Sequence, residues 1–298
     1  MTKFLVIGNG FLGKKLASDL NCPAVDLDTP IPIDITDVMS IRSVLKHYDP
    51  EVVIHTAAMT NVDGCEREPN LSQKVNVEGT RHVYNYCDAY SIKMVFISTD
   101  FVFGGNSGDY KEEDKPDPLS IYASDKLDGE EIVMQNPDNL ILRTSTLYGF
   151  NDIEDKMTFP TWVKKVCDMK QKVKIVHDQT TCPTLIDNIS TAILKLISKD
   201  CSGIYHCVGS QALDRWKYAI TVADVFGCDF TLKRIKCVDS ESLNQDAKRP
   251  KDSSLNIDKL RQEGIEMFDV ETGLKVMKKQ MEADECSRVK TVEKKCQQ

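Results

Sequence analysis

A tyrosine and a lysine four residues apart are the side chains of this sequence best suited to acid–base chemistry. Tyr122 and Lys126 lie in the segment Ile121–Glu130, whose pattern predicts a helix, and this spacing places both on one helix face. An ammonium group close to a phenol favours the phenolate, so we expect Lys126 to lower the Tyr122 pKa from its usual value of about 10. Such a tyrosine can pass a proton to or from a sugar or alcohol oxygen near neutral pH. Surface helices also carry this pair by chance, so the interpretation depends on the elements that would position it.

A glycine cluster directly follows the first apolar segment. The run Lys3–Ile7 predicts a strand buried on both faces of a parallel sheet, and Lys14–Leu20 predicts a helix. Between them, Gly8–Gly13 reads G-x-G-x-x-G, which allows a tight turn and close approach of a dinucleotide pyrophosphate to the helix N-terminus. The residues predicted to contact the cofactor here are Gly8, Gly10, Phe11, Leu12 and Gly13.

Two carboxylates end the second predicted strand, Ala24–Asp28. Asp26 or Asp28 can accept hydrogen bonds from the adenosine ribose of the cofactor. No lysine or arginine occurs between Cys22 and Ser40 to meet a 2′-phosphate. The cofactor is therefore predicted to be NADH or NADPH, with NADH slightly favoured.

Strands and helices alternate over the first half of the chain. Further strands are predicted at Val52–His55, Met94–Thr99 and Leu140–Arg143, with a helix over about residues 70–90. This alternation predicts an α/β protein with a Rossmann-like, doubly wound parallel sheet. We expect residues 1–150 to form the NAD(P)-binding domain, and residues 151–281 to form a smaller, mixed α/β lobe that predominantly binds substrate. Residues 282–298 are predicted to be a polar tail, either a frayed helix or disordered.

Composition excludes several classes of protein. The net charge of −8 argues against a nucleic-acid partner, and no apolar run is long enough to cross a bilayer. The N-terminus enters a strand at once without a signal-peptide pattern, which predicts a cytoplasmic protein. The eleven cysteines are scattered without a C-x-x-C pair, so no metal site and no disulfide framework is expected.

The combined motifs resemble the extended short-chain dehydrogenases/reductases and, within them, the dTDP-4-dehydrorhamnose reductases. The segments that carry the resemblance, beyond Gly8–Gly13 and Ile121–Glu130, are Thr60–Asp63, Ser98–Phe103, Tyr110–Leu119, Arg143–Ser145, Leu147–Gly149, Asp178–Gln179, Pro183–Thr184 and Gly203–His206. The resemblance implies NAD(P)H-dependent reduction of a nucleotide-activated 4-keto-6-deoxy sugar in activated deoxysugar biosynthesis. Pairing as a homodimer is common among such relatives.

The resemblance also implies residue roles. Tyr122 matches the tyrosine that protonates the C4 oxygen, and Lys126 matches the lysine that binds the nicotinamide ribose and tunes the tyrosine. Thr99 matches the hydroxyl that hydrogen-bonds the keto oxygen, and Asp100 adjoins the substrate. Further cofactor contacts are implied at Asp34, Ile35, Ala57, Ala58 and Met59, and substrate contacts at Thr146 and Arg249.

The sequence departs from the family pattern at two places, and two rival functions stay open. The glycine turn is one residue shorter than is usual, and Thr146 stands where a tryptophan usually stacks near the sugar. The chain also resembles the non-catalytic, NADP-binding regulatory subunit of methionine adenosyltransferase, although Thr99, Tyr122 and Lys126 favour an enzyme. A nucleotide-sugar epimerase is the other alternative. The related 4,6-dehydratases have a glutamate where this chain has Phe101, which argues against dehydration.

Overall fold

This computed structural model describes residues 2–150 and 157–296. Its strands, in chain order, are β1 (Phe4–Ile7), β2 (Ala24–Val25), β3 (Val52–His55), β4 (Lys93–Thr99), β5 (Leu140–Thr144), β6 (Leu147–Tyr148), β7 (Val173–Val176), β8 (Thr180–Thr181), β9 (Thr184–Leu185), β10 (Gly203–His206), β11 (Leu213–Asp214) and β12 (Ile235–Val238).

The α-helices, in chain order, are α1 (Phe11–Leu20), α2 (Val38–Tyr48), α3 (Val62–Arg67), α4 (Pro69–Gln73), α5 (Gly79–Ala89), α6 (Ile121–Val133), α7 (Phe159–Asp168), α8 (Ile186–Ser198), α9 (Arg215–Phe226), α10 (Asp258–Gln262) and α11 (Val270–Cys296). The side chains of Asp37 and Ser120 cap α2 and α6 by accepting hydrogen bonds from backbone N–H groups of the first turn. No helix in the described part of the chain is both long and apolar enough to span a membrane.

A six-stranded parallel sheet forms the centre of the fold, in the order β10-β5-β4-β3-β1-β2. The chain enters at β1, passes to the edge strand β2 and then crosses back to β3, so the strand order reverses between β1 and β3. In open α/β sheets, ligands bind at such a point, outside the carboxyl ends of the strands. The predicted doubly wound parallel sheet is confirmed.

The apolar strands are buried on both faces because helices cover both sides of the sheet. Val6 of β1 packs in one hydrophobic cluster with Leu16 of α1 and Ile189 of α8. Its neighbours Leu5 and Ile7 pack in a second cluster with residues of α2 and α5. Side chains alternate along a strand, so a continuous apolar run is what a two-sided burial requires.

The regular alternation of strands and helices ends near the predicted boundary at residue 150, but the central sheet includes a later strand. Strand β10 pairs with β5 over Leu140–Arg143 and becomes the edge strand of the central sheet, while α8 packs against α1. A separate cluster joins α7, α9, α11 and the parallel pair β7–β12 into a smaller unit. That residues 151–281 predominantly bind substrate stays a prediction.

The structure defines two predicted segments in more detail. The second strand ends at Val25, because Thr29 folds back onto Asp26 and starts a turn there. Of the two forms predicted for the tail, a frayed helix or a disordered segment, the structure has a helix: α11 continues to Cys296, and residues 297–298 lie outside the described residues.

The predicted helix over residues 70–90 is interrupted by a π-helical turn, Lys74–Glu78. This turn places Asn76 against the loop that follows β3. The Asn76 side chain accepts a hydrogen bond from the Met59 N–H at 2.8 Å and donates one to the Met59 carbonyl at 3.2 Å. The π turn therefore fixes a loop at the ligand end of the sheet, as such turns often do at functional sites.

Candidate active site

One cleft of about 680 Å³ runs along the carboxyl ends of the central strands, from the glycine turn to Tyr122. It crosses the point where the strand order reverses, between β1 and β3. The described residues that line it include most of the predicted site: Gly8, Gly10, Phe11, Leu12, Gly13, Asp26, Asp28, Asp34, Ile35, Ala57, Ala58, Thr99, Asp100, Tyr122, Lys126 and Thr146. The fold thus brings together residues that are far apart in the sequence.

The glycine turn has the form that a dinucleotide pyrophosphate requires. A Cβ atom on Gly13 would overlap the Gly8 carbonyl oxygen, so only glycine lets the helix pack this close to β1. A Cβ atom on Gly10 would meet no described protein atom within 4 Å, so Gly10 faces open space in the cleft. Gly10 is also the N-cap of α1 and offers no side chain to the first N–H groups of the helix. A helix N-terminus without a side-chain cap suits an anionic group.

Carboxylates line the end of the cleft next to β2. Asp26 is half-buried and accepts a hydrogen bond from the Asp28 N–H at 3.0 Å, while Asp28 is exposed. Further along the wall, the Thr36 hydroxyl and N–H both donate to Asp34 at 2.8 Å, and these bonds lower the pKa of the Asp34 carboxyl. These carboxylates can accept hydrogen bonds from a ribose hydroxyl. Neither β2 nor the turn after it carries a lysine or arginine that could bind a 2′-phosphate.

Thr99 and Tyr122 meet at the other end of the cleft. Both side chains line the cleft, and the Thr99 hydroxyl lies near enough to the Tyr122 phenol to oppose the effect of burial on its pKa. The Thr99 hydroxyl donates a hydrogen bond of 3.2 Å to the buried Asp100 carboxylate. Ser98 points to the other side of β4, where its hydroxyl bonds Glu130. The alternation of the strand thus selects Thr99 as the hydroxyl that faces a ligand.

The prediction that Lys126 lowers the Tyr122 pKa is wrong for this arrangement. Burial dominates and raises the pKa of the Tyr122 phenol. The Lys126 ammonium lies 3.9 Å from the centre of the Phe96 ring, and burial lowers its own pKa to about 7 although Glu130 raises it in part. Tyr122 therefore stays protonated at neutral pH, which suits a proton donor.

A buried ionic network lies beneath Lys126. Arg143 donates to both oxygens of Glu130, at 3.0 Å from Nε and 2.7 Å from Nη2, and both side chains are almost fully buried. His55 stacks on Phe96, and burial next to Lys126 lowers its pKa to about 3. His55 is therefore a packed, uncharged core histidine.

Sequence reasoning missed the residues that hold Asp100. Ser145 and Ser253 donate hydrogen bonds to its Oδ2 at 2.7 and 2.6 Å. Burial raises the Asp100 pKa, and these bonds oppose the rise. Ser253 lies more than 150 residues away in sequence from Asp100, so no local pattern points to it.

Thr146, Met59 and Arg249 are the remaining residues of the predicted site. Thr146 lines the cleft with a left-handed backbone (φ 39°) and bonds Thr181, whereas Met59 and Arg249 are not among its described lining residues. The Arg249 guanidinium is instead held by both oxygens of Asp63, at 2.5 and 2.8 Å. The predicted substrate contact of Arg249 stays a prediction; its charge is paired with Asp63 and also acts on the pKa of the cleft-lining Arg215.

Arg215, which sequence reasoning also missed, lines the substrate end of the cleft. It is the first residue of α9, directly after the capping Asp214. Nothing in the local sequence separates it from a surface arginine at a helix start, because its location follows from the packing of α9 against α7 and α11 in the smaller unit.

The fold and the site define an oxidoreductase of the extended short-chain dehydrogenase/reductase class. A dinucleotide turn and a Thr–Tyr–Lys group at the two ends of one cleft are the features that define the class. The chain belongs to the family described as "RmlD substrate binding domain", which it matches over residues 2–283. The predictions of this family, of an oxidoreductase and of a nicotinamide cofactor are confirmed.

Known proteins of related sequence or structure have several roles. The chain is 34% identical over 272 residues to the probable low-salt glycan biosynthesis reductase Agl14 of Haloferax volcanii, covering 86% of this chain and 90% of that protein. It is 28% identical over 241 residues to methionine adenosyltransferase 2 subunit beta of Pongo abelii, covering 78% and 71%. The crystal structure of a dTDP-4-dehydrorhamnose reductase from Bacillus anthracis, in complex with NADP, matches with a TM-score of 0.85 at 29% identity and covers 93% of this chain and 99% of that one.

Proposed function

We propose that this protein reduces a nucleotide-activated 4-keto-6-deoxy sugar with NADH or NADPH, in activated deoxysugar biosynthesis. The observation that carries the proposal is that Thr99, Tyr122 and Lys126 line the same cleft as the glycine turn. Reduction in the cytoplasm and a homodimeric state belong to the same proposal.

Each of these three residues has a distinct part in a carbonyl reduction. The bound nicotinamide supplies the hydride to the carbonyl carbon. Thr99 donates a hydrogen bond that holds the keto oxygen, and Tyr122 transfers its phenolic proton to that oxygen as negative charge develops on it. A raised tyrosine pKa keeps this proton in place before the reaction. Lys126, with a pKa of about 7, lies one helical turn away and stabilises the phenolate that remains.

The test is a panel of nucleotide 4-keto-6-deoxy sugars, with dTDP and UDP as the nucleotide, assayed with each reduced cofactor. We expect oxidation of the cofactor in equal amount to formation of a 4-hydroxy sugar. An epimerase would change the configuration of the sugar without net cofactor oxidation. A regulatory subunit would turn over none of the panel and would bind methionine adenosyltransferase.

The regulatory-subunit alternative has less support. Its relative covers less of both chains than the reductase relatives do. Thr99, Tyr122 and Lys126, moreover, converge in one cleft here, and a binding subunit has no need of an assembled proton donor.

We predict that NADH binds more tightly than NADPH. The 2′-phosphate of NADPH would lie beside Asp26 and Asp28, and each like-charge contact at 4 Å costs about 1 kcal/mol even in water. Titration calorimetry with both cofactors measures the two dissociation constants, and Asp26→Asn should narrow the gap between them. Tighter binding of NADPH by the wild-type protein would contradict the prediction and would require a cation from another part of the chain.

A further inference from the structure

Arg215 is a cation that lines the cleft, and no anionic side chain in the described part of the chain forms an ion pair with it. Among the described residues its guanidinium forms no ion pair, and no described side chain or carbonyl accepts a hydrogen bond from it. Burial lowers its pKa, and Asp100 interacts with it only at longer range. The carboxylate of Asp100 is already held by Ser145 and Ser253. Burial of a charge is costly unless a partner compensates it, so this position calls for an anion.

Aromatic packing holds the guanidinium in place before any ligand arrives. It lies 5.2 Å from the centre of the Phe159 ring, within the range of a cation–π contact. Phe159 in turn stacks on the buried Tyr218, with ring centres 4.9 Å apart. Both Arg215 and Tyr218 belong to α9, so the arginine is braced by its own helix and by α7. Its N–H donors are thus held in place, and no acceptor among residues 2–150 and 157–296 uses them.

The charges along the cleft show which ligand group such a cation suits. The acidic residues that line it are Asp26, Asp28, Asp34 and Asp100, and its cationic residues, among those described, are Lys126 and Arg215. Lys126 has a pKa of about 7 and adjoins the reacting oxygen. Arg215 is therefore the permanent positive charge in a cleft that, under the proposed function, must accept a nucleoside diphosphate.

We propose that Arg215 binds the diphosphate of the nucleotide-sugar substrate. The inference rests on the proposed function and extends it to a specific group of the substrate. A planar guanidinium donates two parallel hydrogen bonds to phosphate oxygens, which a lysine cannot do. The location is compatible with this role: C1, which carries the diphosphate, lies across the sugar ring from the reacting C4, and Tyr122 and Arg215 line the same cleft.

The experiment measures binding of dTDP, dTMP and thymidine, and of the corresponding uridine compounds, to the protein saturated with NADH. In Arg215→Gln we expect the dissociation constant of the nucleoside diphosphate to rise about 10- to 100-fold, as for lost charge-assisted hydrogen bonds. Binding of the nucleoside should not change, and Arg215→Lys should recover only part of the loss. The control is Arg261→Gln, which removes an exposed arginine paired with Asp258 and should bind dTDP as the wild type does.

Two results would overturn the inference, and they differ. If the wild type binds a nucleoside diphosphate and Arg215→Gln binds it equally well, Arg215 contacts another part of the substrate and the proposed function stands. If the wild type binds none of these nucleotides, the proposed function and the inference both fail. NADH affinity and melting temperature of Arg215→Gln should match those of the wild type, because the pyrophosphate of NADH lies at α1; a loss of both would show a structural role instead.

Discussion

Replacing Tyr122 with phenylalanine is expected to lower turnover of the keto-sugar by about 10²- to 10⁴-fold, the usual contribution of a positioned general acid. Only a hydroxyl group is removed from a side chain that lines the cleft, and no described backbone group bonds that hydroxyl. The ring keeps its packing on α6, so the fold should be retained. The Michaelis constant should change little, because the proton is transferred only in the transition state.

Three measurements separate this loss from a structural defect. NADH affinity and melting temperature of Tyr122→Phe should match those of the wild type. Tyr90→Phe is the matched control, because Tyr90 is an exposed tyrosine that stacks on Tyr86 away from the cleft, and its turnover should equal that of the wild type. Near-normal turnover in Tyr122→Phe would remove Tyr122 from the chemistry and leave the proton donor to be sought elsewhere.

The central sheet could be predicted from sequence because its signal is local. Runs such as Val52–His55 are apolar on both faces, and a glycine cluster follows the first run directly. Each of these strands can therefore be predicted from a few consecutive residues. Strand β10 was assigned to the second lobe because its partner, β5, is formed some sixty residues earlier in the chain. The hydrophobic pattern of a strand does not show which distant strand it pairs with.

The site was predictable where a motif fixes the backbone and unpredictable where packing sets the environment. The helical spacing placed Tyr122 and Lys126 on one face, as the structure shows. The direction of the Tyr122 pKa was wrong, because burial and the location of the ammonium over Phe96 depend on tertiary structure. Neither the pairing of Arg249 with Asp63 nor the location of Arg215 in the cleft could be predicted, because the partner of a charge depends on the fold.

The glycine turn offers a pair of substitutions that should separate folding from cofactor binding. In Gly13→Ala the new methyl group would overlap the Gly8 carbonyl oxygen, which is backbone and cannot rotate away. Alanine gains about 1 kcal/mol in helix propensity over glycine, but forced overpacking costs about 1–3 kcal/mol or more. Because the methyl group would overlap fixed backbone, we expect an overpacking cost near the upper end of this range. This cost exceeds the gain in helix propensity. We expect a lower melting temperature and, because the turn must shift, weaker NADH binding as well.

Gly10→Ala should have the opposite balance. Its φ of −81° suits alanine, and its Cβ atom would meet no described protein atom within 4 Å. Loss of a glycine N-cap costs at most about 1 kcal/mol, so the melting temperature should change by only a few degrees. The methyl group would instead occupy the space where backbone and pyrophosphate must approach each other. We expect NADH affinity to fall roughly tenfold or more, equivalent to about 1.4 kcal/mol.

Thermal melts without cofactor and calorimetric titrations of NADH measure the two effects separately. If the NADH affinity of Gly10→Ala were unchanged, the cofactor would not approach the shorter G-x-G-x-x-G turn at residue 10. The substitution leaves the N-terminus of the helix intact, so only close contact with Gly10 itself is tested.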